Sequence, residues 1–469
     1  MSSYFFLEDN SVETTVKKYL KKIDENSHLN AFITVAENYA LEQAKIVDEK
    51  IKNRTAGKLA GLVISLKDLI CTKGIRTTAG SKILENFIPP YDASLVKNLK
   101  NEDAVIIGKN NLDEFAMGSS NETSAFGKVL HPLDNSLVPG GSSGGSAVSV
   151  AAGLSRVSLG SETGGSIRQP AAFCGVVGLK TTYGRVSRYG VTAFASSFDQ
   201  VGPIGKTVED VARVTEVISG FDKMDSTSAP NSVPDYTQFL NQDVKGLKMG
   251  VLKECFDEGV DPEIKKSVLE TIELLRKNGA EIKEVSLPLL KYGIATYYIL
   301  TTAEASANLA RYDGIRYTYR NGEAKGLDEV YVKSRSEGFG TEVKRRIMLG
   351  TYVLSAGYYD AFYAKGQKVR TLMQKEMNET FAGLDCILAP TTPNLPFKAG
   401  EKLDDPLKMY LNDIFTVSAN LTGIPSLSVP CGNAKNGLPI GIQIMAKSFD
   451  EGMTFRVGDF IEKNIKILA

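Results

Sequence analysis

Pro139-Gly-Gly-Ser-Ser-Gly-Gly-Ser146 leads through the small apolar stretch Ala147 to Ala152 and the strand-like Val157-Ser-Leu159 into a second loop, Gly160-Ser-Glu-Thr-Gly-Gly-Ser166. Most Gly/Ser runs are flexible linkers set in polar sequence. Both of these are flanked tightly by apolar segments, so they read as folded turns at the border of a core.

Outward from this region the chain alternates strand and helix signals. On the N-terminal side, Gly61-Leu-Val-Ile-Ser-Leu66 reads as a strand ending in Lys67-Asp68, and Ala104 to Gly108 reads as another. A polar pair at a strand end is well placed to face a site. Before them, Ser11 caps a helix with Val16, Leu20 and Ile23 at helical spacing, and Ala40, Ala44, Val47 and Ile51 mark a second. On the C-terminal side, the strand Leu247 to Leu252 is followed by Asp261 as N-cap, Pro262 at the first helical position, apolar residues Ile264, Val268, Ile272 and Leu275, and Gly279 as the stop. Ile282 to Leu287, Cys386 to Ala389, Pro425 to Pro430 and Pro439 to Met445 read as further strands, the last two joined through Asn433-Ala-Lys-Asn-Gly437. This βαβ grammar on both sides of the Gly/Ser region predicts an α/β sheet covered by helices.

Composition narrows the function. Of 469 residues, 55 are Lys or Arg and 55 are Asp or Glu, so no global field draws the chain to nucleic acid or an anionic membrane. No window approaches the roughly 20 consecutive apolar residues of a membrane span, and Met1 to Asp9 lacks the features of a signal peptide or organelle presequence. A cytoplasmic location is expected. The five scattered cysteines, Cys71, Cys174, Cys255, Cys386 and Cys431, fit reduced thiols, and no metal site is expected. The two histidines are His28 and His131. Hydrolases usually take their general base from histidine, so a histidine-free mechanism leads.

Three motif readings fail. Gly140-Gly-Ser-Ser-Gly144 satisfies the G-x-S-x-G elbow, which requires a histidine after the serine, and both histidines precede it. Ser94-Leu-Val-Lys97 has S-x-x-K spacing without a K-T-G partner and reads as a helix surface. Gly175 to Thr181 misses the P-loop pattern by one position.

Lys67 with the two serine loops, extended as Gly160-Ser-Glu-Thr-Gly-Gly-Ser-Ile-Arg-Gln-Pro170, resembles the amidase signature family across nearly the whole chain. That resemblance implies one amidase domain over residues 1–469: flanking helices in 1–60, the catalytic core in 61–205, and the rest of a large mixed β-sheet with the substrate clamp in 206–469. It implies Ser166 as nucleophile, Ser142 as a bridging serine beside a cis peptide, and Lys67 as base. The chemistry agrees, because attack on an amide needs an activated serine and a base that later returns a proton to ammonia. Lysine serves only when neutral, so its pKa must fall, through burial and the absence of a stabilising anion. Thr163, Gly164 and Gly165 are expected to turn their N–H groups toward an oxyanion. Asp68 and Arg168 read as supports of Lys67 and Ser166, with a surface ion pair as the alternative.

Ser196-Ser-Phe-Asp-Gln-Val-Gly-Pro203, Glu337-Gly-Phe-Gly-Thr-Glu-Val-Lys-Arg-Arg346 and Ser355-Ala-Gly-Tyr-Tyr-Asp360 are similar to the branch of that family that serves as the glutaminase of tRNA-dependent amidotransferases. This implies glutamine as substrate, B and C subunits as partners, and misacylated glutamyl- or aspartyl-tRNA bound mainly through the B subunit. ATP and magnesium are used there, with no cofactor in this chain. The matching pocket positions are Arg346 for the α-carboxylate, Asp413 for the α-ammonium, Tyr297, and backbone from Met117 to Ser119. Val63, Leu69 and Glu162 depart from the usual pattern, which more often has proline, asparagine and aspartate there. A stand-alone amidase acting on another small amide, or a scaffold with a degenerate site, are the competing readings.

Overall fold

The computed structural model describes residues 4–257, 259–401 and 409–465, so residues 1–3 of the N-terminal stretch lie outside it. Its strands are β1 (Phe32–Val35), β2 (Val63–Lys67), β3 (Val105–Asn110), β4 (Val157–Glu162), β5 (Val177–Lys180), β6 (Gln200–Gly205), β7 (Lys248–Leu252), β8 (Glu281–Val285), β9 (Cys386–Pro390), β10 (Ser426–Asn433) and β11 (Pro439–Ala446). All join one sheet in the order β1-β3-β2-β4-β6-β5-β10-β11-β9-β7-β8. β2 lies parallel to both β3 and β4, and β7 lies parallel to β8 and β9; the pairings between these two groups are antiparallel. The expected mixed α/β sheet is therefore present.

Each parallel group needs a crossover, and helices supply it. Ser94–Asn101 connects β2 to β3, Gly144–Ala151 lies between β3 and β4, and Pro262–Lys277 connects β7 to β8, capped by Asp261 as expected. The central strands are buried on both faces, as covered parallel sheets are. Along β2, Ile64 and Leu66 enter one apolar core while Val63 enters the core under the N-terminal helices Val12–Glu25 and Glu37–Lys52. Along β9, Cys386 and Leu388 face one core, and Ile387 and Ala389 face another.

This alternation sets the direction of Lys67. Positions 63, 65 and 67 share a face. Ser65 bonds Ser149 and Ser155, at the end of the Gly144–Ala151 helix and just beyond it. Lys67 is thereby aimed at the serine loop that precedes this helix.

Candidate active site

Lys67 closes β2 with its side chain fully buried. Its Nζ donates to Ser142 Oγ at 2.7 Å, to Ser143 Oγ at 2.8 Å and to the Ser161 carbonyl at 3.2 Å. Burial pulls its pKa from the ordinary value near 10.5 down to about 7. The fall occurs although anions are nearby: Asp113, Asp199 and Glu162 each push the other way. Desolvation, and not the expected absence of anions, depresses this lysine.

The peptide bond joining Gly141 to Ser142 is cis. The first loop is held by Ser143, whose N–H donates to the Ser166 carbonyl at 3.1 Å and whose hydroxyl donates to the Ser161 carbonyl at 3.0 Å. The three expected residues are thus gathered at one place. Lys67 and Ser142 are in direct contact, and Ser166 adjoins them through Ser143; among the described residues no hydrogen bond joins the Ser142 and Ser166 hydroxyls.

The second loop follows β4. Glu162 Oε2 accepts the N–H groups of Ile167 (3.0 Å) and Arg168 (3.1 Å), while Oε1 accepts Arg168 Nε at 2.9 Å. Burial would raise the Glu162 pKa, but the Arg168 guanidinium overrides it and holds the carboxylate below its usual range. Arg168 then reaches onward to the Thr416 carbonyl and Asn420 (2.8 Å each) and to Gln443 (2.5 Å). The longer Glu162 side chain is therefore fully used. Arg168 is a buried support of the loop that carries Ser166. Asp68 does not pair with it: Asp68 lies buried against Thr78 and Lys109, and it touches neither Lys67 nor the surface.

Gly165 has φ +156°, and a Cβ there would lie 2.8 Å from Asp413 Oδ1 and 2.3 Å from Thr416 Oγ1. A Cβ at Gly164 would come within 2.6 Å of Tyr297 Cζ. Both glycines are required by close approach. Thr163 donates its hydroxyl to Asp199 at 2.7 Å. Among the described residues, the N–H groups of Gly164 and Gly165 donate to no protein acceptor.

Asp413 accepts a hydrogen bond from Ser119 Oγ at 3.2 Å and has no cation within ion-pair distance among the described residues. Burial first, and repulsion from Glu162 second among the raising effects, pushes its carboxyl up to about 8. Arg346, on the helix Thr341–Val353, is buried beneath the rings of Phe194, Tyr298 and Tyr410 and donates to Glu342 at 2.8 Å. A cavity of about 160 Å³ opens between Gly118, Ser119 and Ser120 on one side and Glu342, Arg346 and Tyr410 on the other. Met117 does not line it; its side chain belongs to the core and its carbonyl accepts from Thr123.

Sequence reasoning missed Ser143, Thr416 and Gln169. Ser143 stood beside Ser142 in the quoted motif, and nothing in the pattern separates the two. Gln169 accepts from Gly141 N–H at 2.9 Å and donates to the Ser119 carbonyl at 3.1 Å, joining both loops to the cavity wall. His131, by contrast, turns its ring to the Phe173 carbonyl. Among the described residues no cluster of His, Cys, Asp or Glu is placed to hold a metal ion, and no helix is long and apolar enough to cross a membrane.

Comparison with known proteins agrees with this geometry. The family model described as Amidase matches residues 14–455. The A subunit of glutamyl-tRNA(Gln) amidotransferase from Koribacter versatilis is 60% identical, over 95% of this chain and 93% of that protein. Its counterpart of the same name from Persephonella marina is 57% identical, over 93% and 90%. The crystal structure of the Thermotoga maritima counterpart superposes with a TM-score of 0.82 at 44% identity, covering 97% of this chain and 92% of that one. Buried lysine, paired Gly/Ser loops and whole-length similarity lead to the same conclusion: this chain belongs to the amidase signature family of enzymes.

Proposed function

We propose that this chain is the glutaminase subunit of a tRNA-dependent amidotransferase. The observation that carries the reading is the contact, at 2.7 Å, of the fully buried Lys67 Nζ with Ser142 Oγ, beside the loop of Ser166.

Ser166 Oγ attacks the side-chain carbonyl carbon of glutamine, and its proton passes through Ser142 Oγ to neutral Lys67 Nζ. The oxyanion is held by N–H groups of the Thr163 to Ser166 loop. As the C–N bond breaks, the proton returns from Lys67 through Ser142 and ammonia leaves. Water then cleaves the acyl-enzyme by the same proton route, giving glutamate and free Ser166. Arg346 attracts the α-carboxylate, and Asp413, with no protein cation paired to it among the described residues, receives the α-ammonium; Tyr297 walls the nucleophile loop and Ser119 orients Asp413.

Ammonia goes to a B subunit, which uses ATP and magnesium to amidate Glu-tRNA(Gln), and Asp-tRNA(Asn) where that is formed; a C subunit completes a heterotrimer in the cytoplasm. The relatives that carry the amidotransferase name, each as one component of a larger enzyme, support this assembly. The test is ammonia release from glutamine by the purified chain, alone and with candidate B and C subunits, in wild type and Ser166→Ala. Release that depends on Ser166 and rises with the partners supports the proposal. Ser166-dependent hydrolysis of other amides but not of glutamine, with the partners present, moves the chain to the stand-alone amidases.

A further inference from the structure

We infer that Glu114 is a positioning residue that sets the spacing between the two walls of the glutamine cavity, an inference that rests on the glutamine reading above. The two walls come from distant sequence: Gly118 to Ser120 on one side, Glu342 and Arg346 on the other. Glu114 lies outside the cavity, buried at 2% exposure, where these segments meet. Its Oε2 accepts the N–H of Gly340 at 2.8 Å, and its Oε1 accepts the hydroxyl of Ser81.

Gly340 is the N-cap of the helix that carries Arg346, and that helix has no side-chain cap of its own. Helix N-termini carry unsatisfied N–H groups and favour a carboxylate. Glu114 supplies from another segment the carboxylate that, in a capping box, accepts the N–H of the N-cap residue. A Cβ at Gly340 would come within 2.4 Å of Glu114 Oε2, so glycine is what permits the approach. Phe115 packs on Phe339, ring centroids 5.6 Å apart, which doubles the joint one residue along. The chain then turns through two left-handed residues, Phe115 (φ +49°) and Ala116 (φ +61°), and delivers Ser119 to the opposite wall. Left-handed backbone at two consecutive non-glycine residues is held only where surroundings enforce it. Glu114 therefore acts through Ser119 and Arg346 and touches no reacting atom.

Chemistry also says which substitution should rescue. The Gly338 carbonyl, 3.2 Å from Ser81 Oγ, is a second acceptor for its single proton, so with glutamine at 114 the serine turns that proton to Gly338 and accepts from the new amide N–H, while the amide oxygen accepts from Gly340. Alanine removes both bonds.

The experiment measures glutamine binding by calorimetry in the full chain bearing Ser166→Ala, with and without Glu114→Ala or Glu114→Gln, and steady-state kinetics of the same Glu114 variants with Ser166 intact. Expected is a dissociation constant raised about tenfold by Glu114→Ala, the size of a lost helix cap, and within about threefold of the parent for Glu114→Gln. KM should follow, with kcat changed far less. If the parent binds glutamine and Glu114→Ala binds it equally, or if the alanine effect falls on kcat alone, the inference fails while the glutamine reading stands. If the Ser166→Ala parent binds no glutamine, both fall together.

Discussion

Glu162 and Arg168 form a fully buried ion pair that closes the loop carrying Ser166, with the carboxylate also accepting the N–H groups of Ile167 and Arg168. Loop geometry and ion pair are thus one feature. Removing one partner of such a pair leaves an uncompensated buried charge. Arg168→Met should cost about 3–5 kcal/mol in urea unfolding and abolish activity. Adding Glu162→Gln should restore part of the stability and little of the activity. An Arg168→Met protein as stable as wild type would contradict this account.

The two serines on Lys67 should separate by experiment. Ser142→Ala should lower kcat by at least about 10²-fold, because it breaks the proton route to Lys67. Ser143→Ala should retain more activity and move the acid limb of the pH–rate profile to lower pH, since the lysine ammonium loses one of its acceptors. Equal losses without a shift would assign Ser143 to the relay as well.

With neutral Lys67 as the proposed base, kcat should rise with pH through a value near 7 and level off above it, while kcat/KM, which also reports Asp413 in the free enzyme, should go on rising through about 8. Lys67→Arg should be inactive at every pH, since guanidinium does not release its proton. Stability should show the complement. The folded pKa lies below the unfolded one, so between about 7 and 10.5 the unfolded chain binds more protons and stability rises with pH. Lys67→Met should therefore be more stable than wild type by a few kcal/mol, roughly, near pH 7, and this advantage should vanish toward pH 10.5. Chemical denaturation at three pH values decides it.

Asp413, its carboxyl raised to about 8 by burial, should be mostly protonated at pH 7 before glutamine binds. An arriving ammonium ionises it. Glutamine binding to Ser166→Ala at pH 7 should release close to one proton, read from the dependence of the binding heat on buffer ionisation enthalpy, and Asp413→Asn should suppress the release. The same variant should raise KM for glutamine by about 10²-fold with a smaller change in kcat, the size of a lost charge-assisted contact. Unchanged proton release in Asp413→Asn would place the ammonium elsewhere.

The strands with clean apolar runs, from Val63 to Lys67 and from Pro439 to Ala446, were legible because both faces are buried. β5 and β6 were not: Val177–Lys180 is short, and Gln200–Gly205 contains glycine and proline that read as turn signals. Gly293–Asn308 is apolar around much of its circumference, so helical periodicity gave no cue. At the site, scarce histidine pointed to a histidine-free mechanism and Lys67 stood out at a strand end, but the roles of Lys67, Ser142 and Ser166 came from family resemblance, with which the chemistry agreed. Arg346 and Asp413 came only from family resemblance, since a lone charge in sequence reads as surface, whereas both are buried here. Thr416 carried no local signal, and Gln169 stood inside the second motif with no role to mark it; what each does exists only once distant segments meet.

Arg168 reaches Thr416, Asn420, Ser426 and Gln443, all at least 248 positions further along the chain. The halves of the sheet meet there, at β5 and β10. Ribosomes release a chain from its N-terminus, so Lys67, Ser142 and Ser166 emerge long before the groups that fix the Arg168 fork. Until the last strands arrive, this guanidinium has only Glu162 among its side-chain partners. The loop that carries Ser166 is thus completed by the end of translation, and a prematurely terminated chain carries Ser166 without the framework that holds it in place.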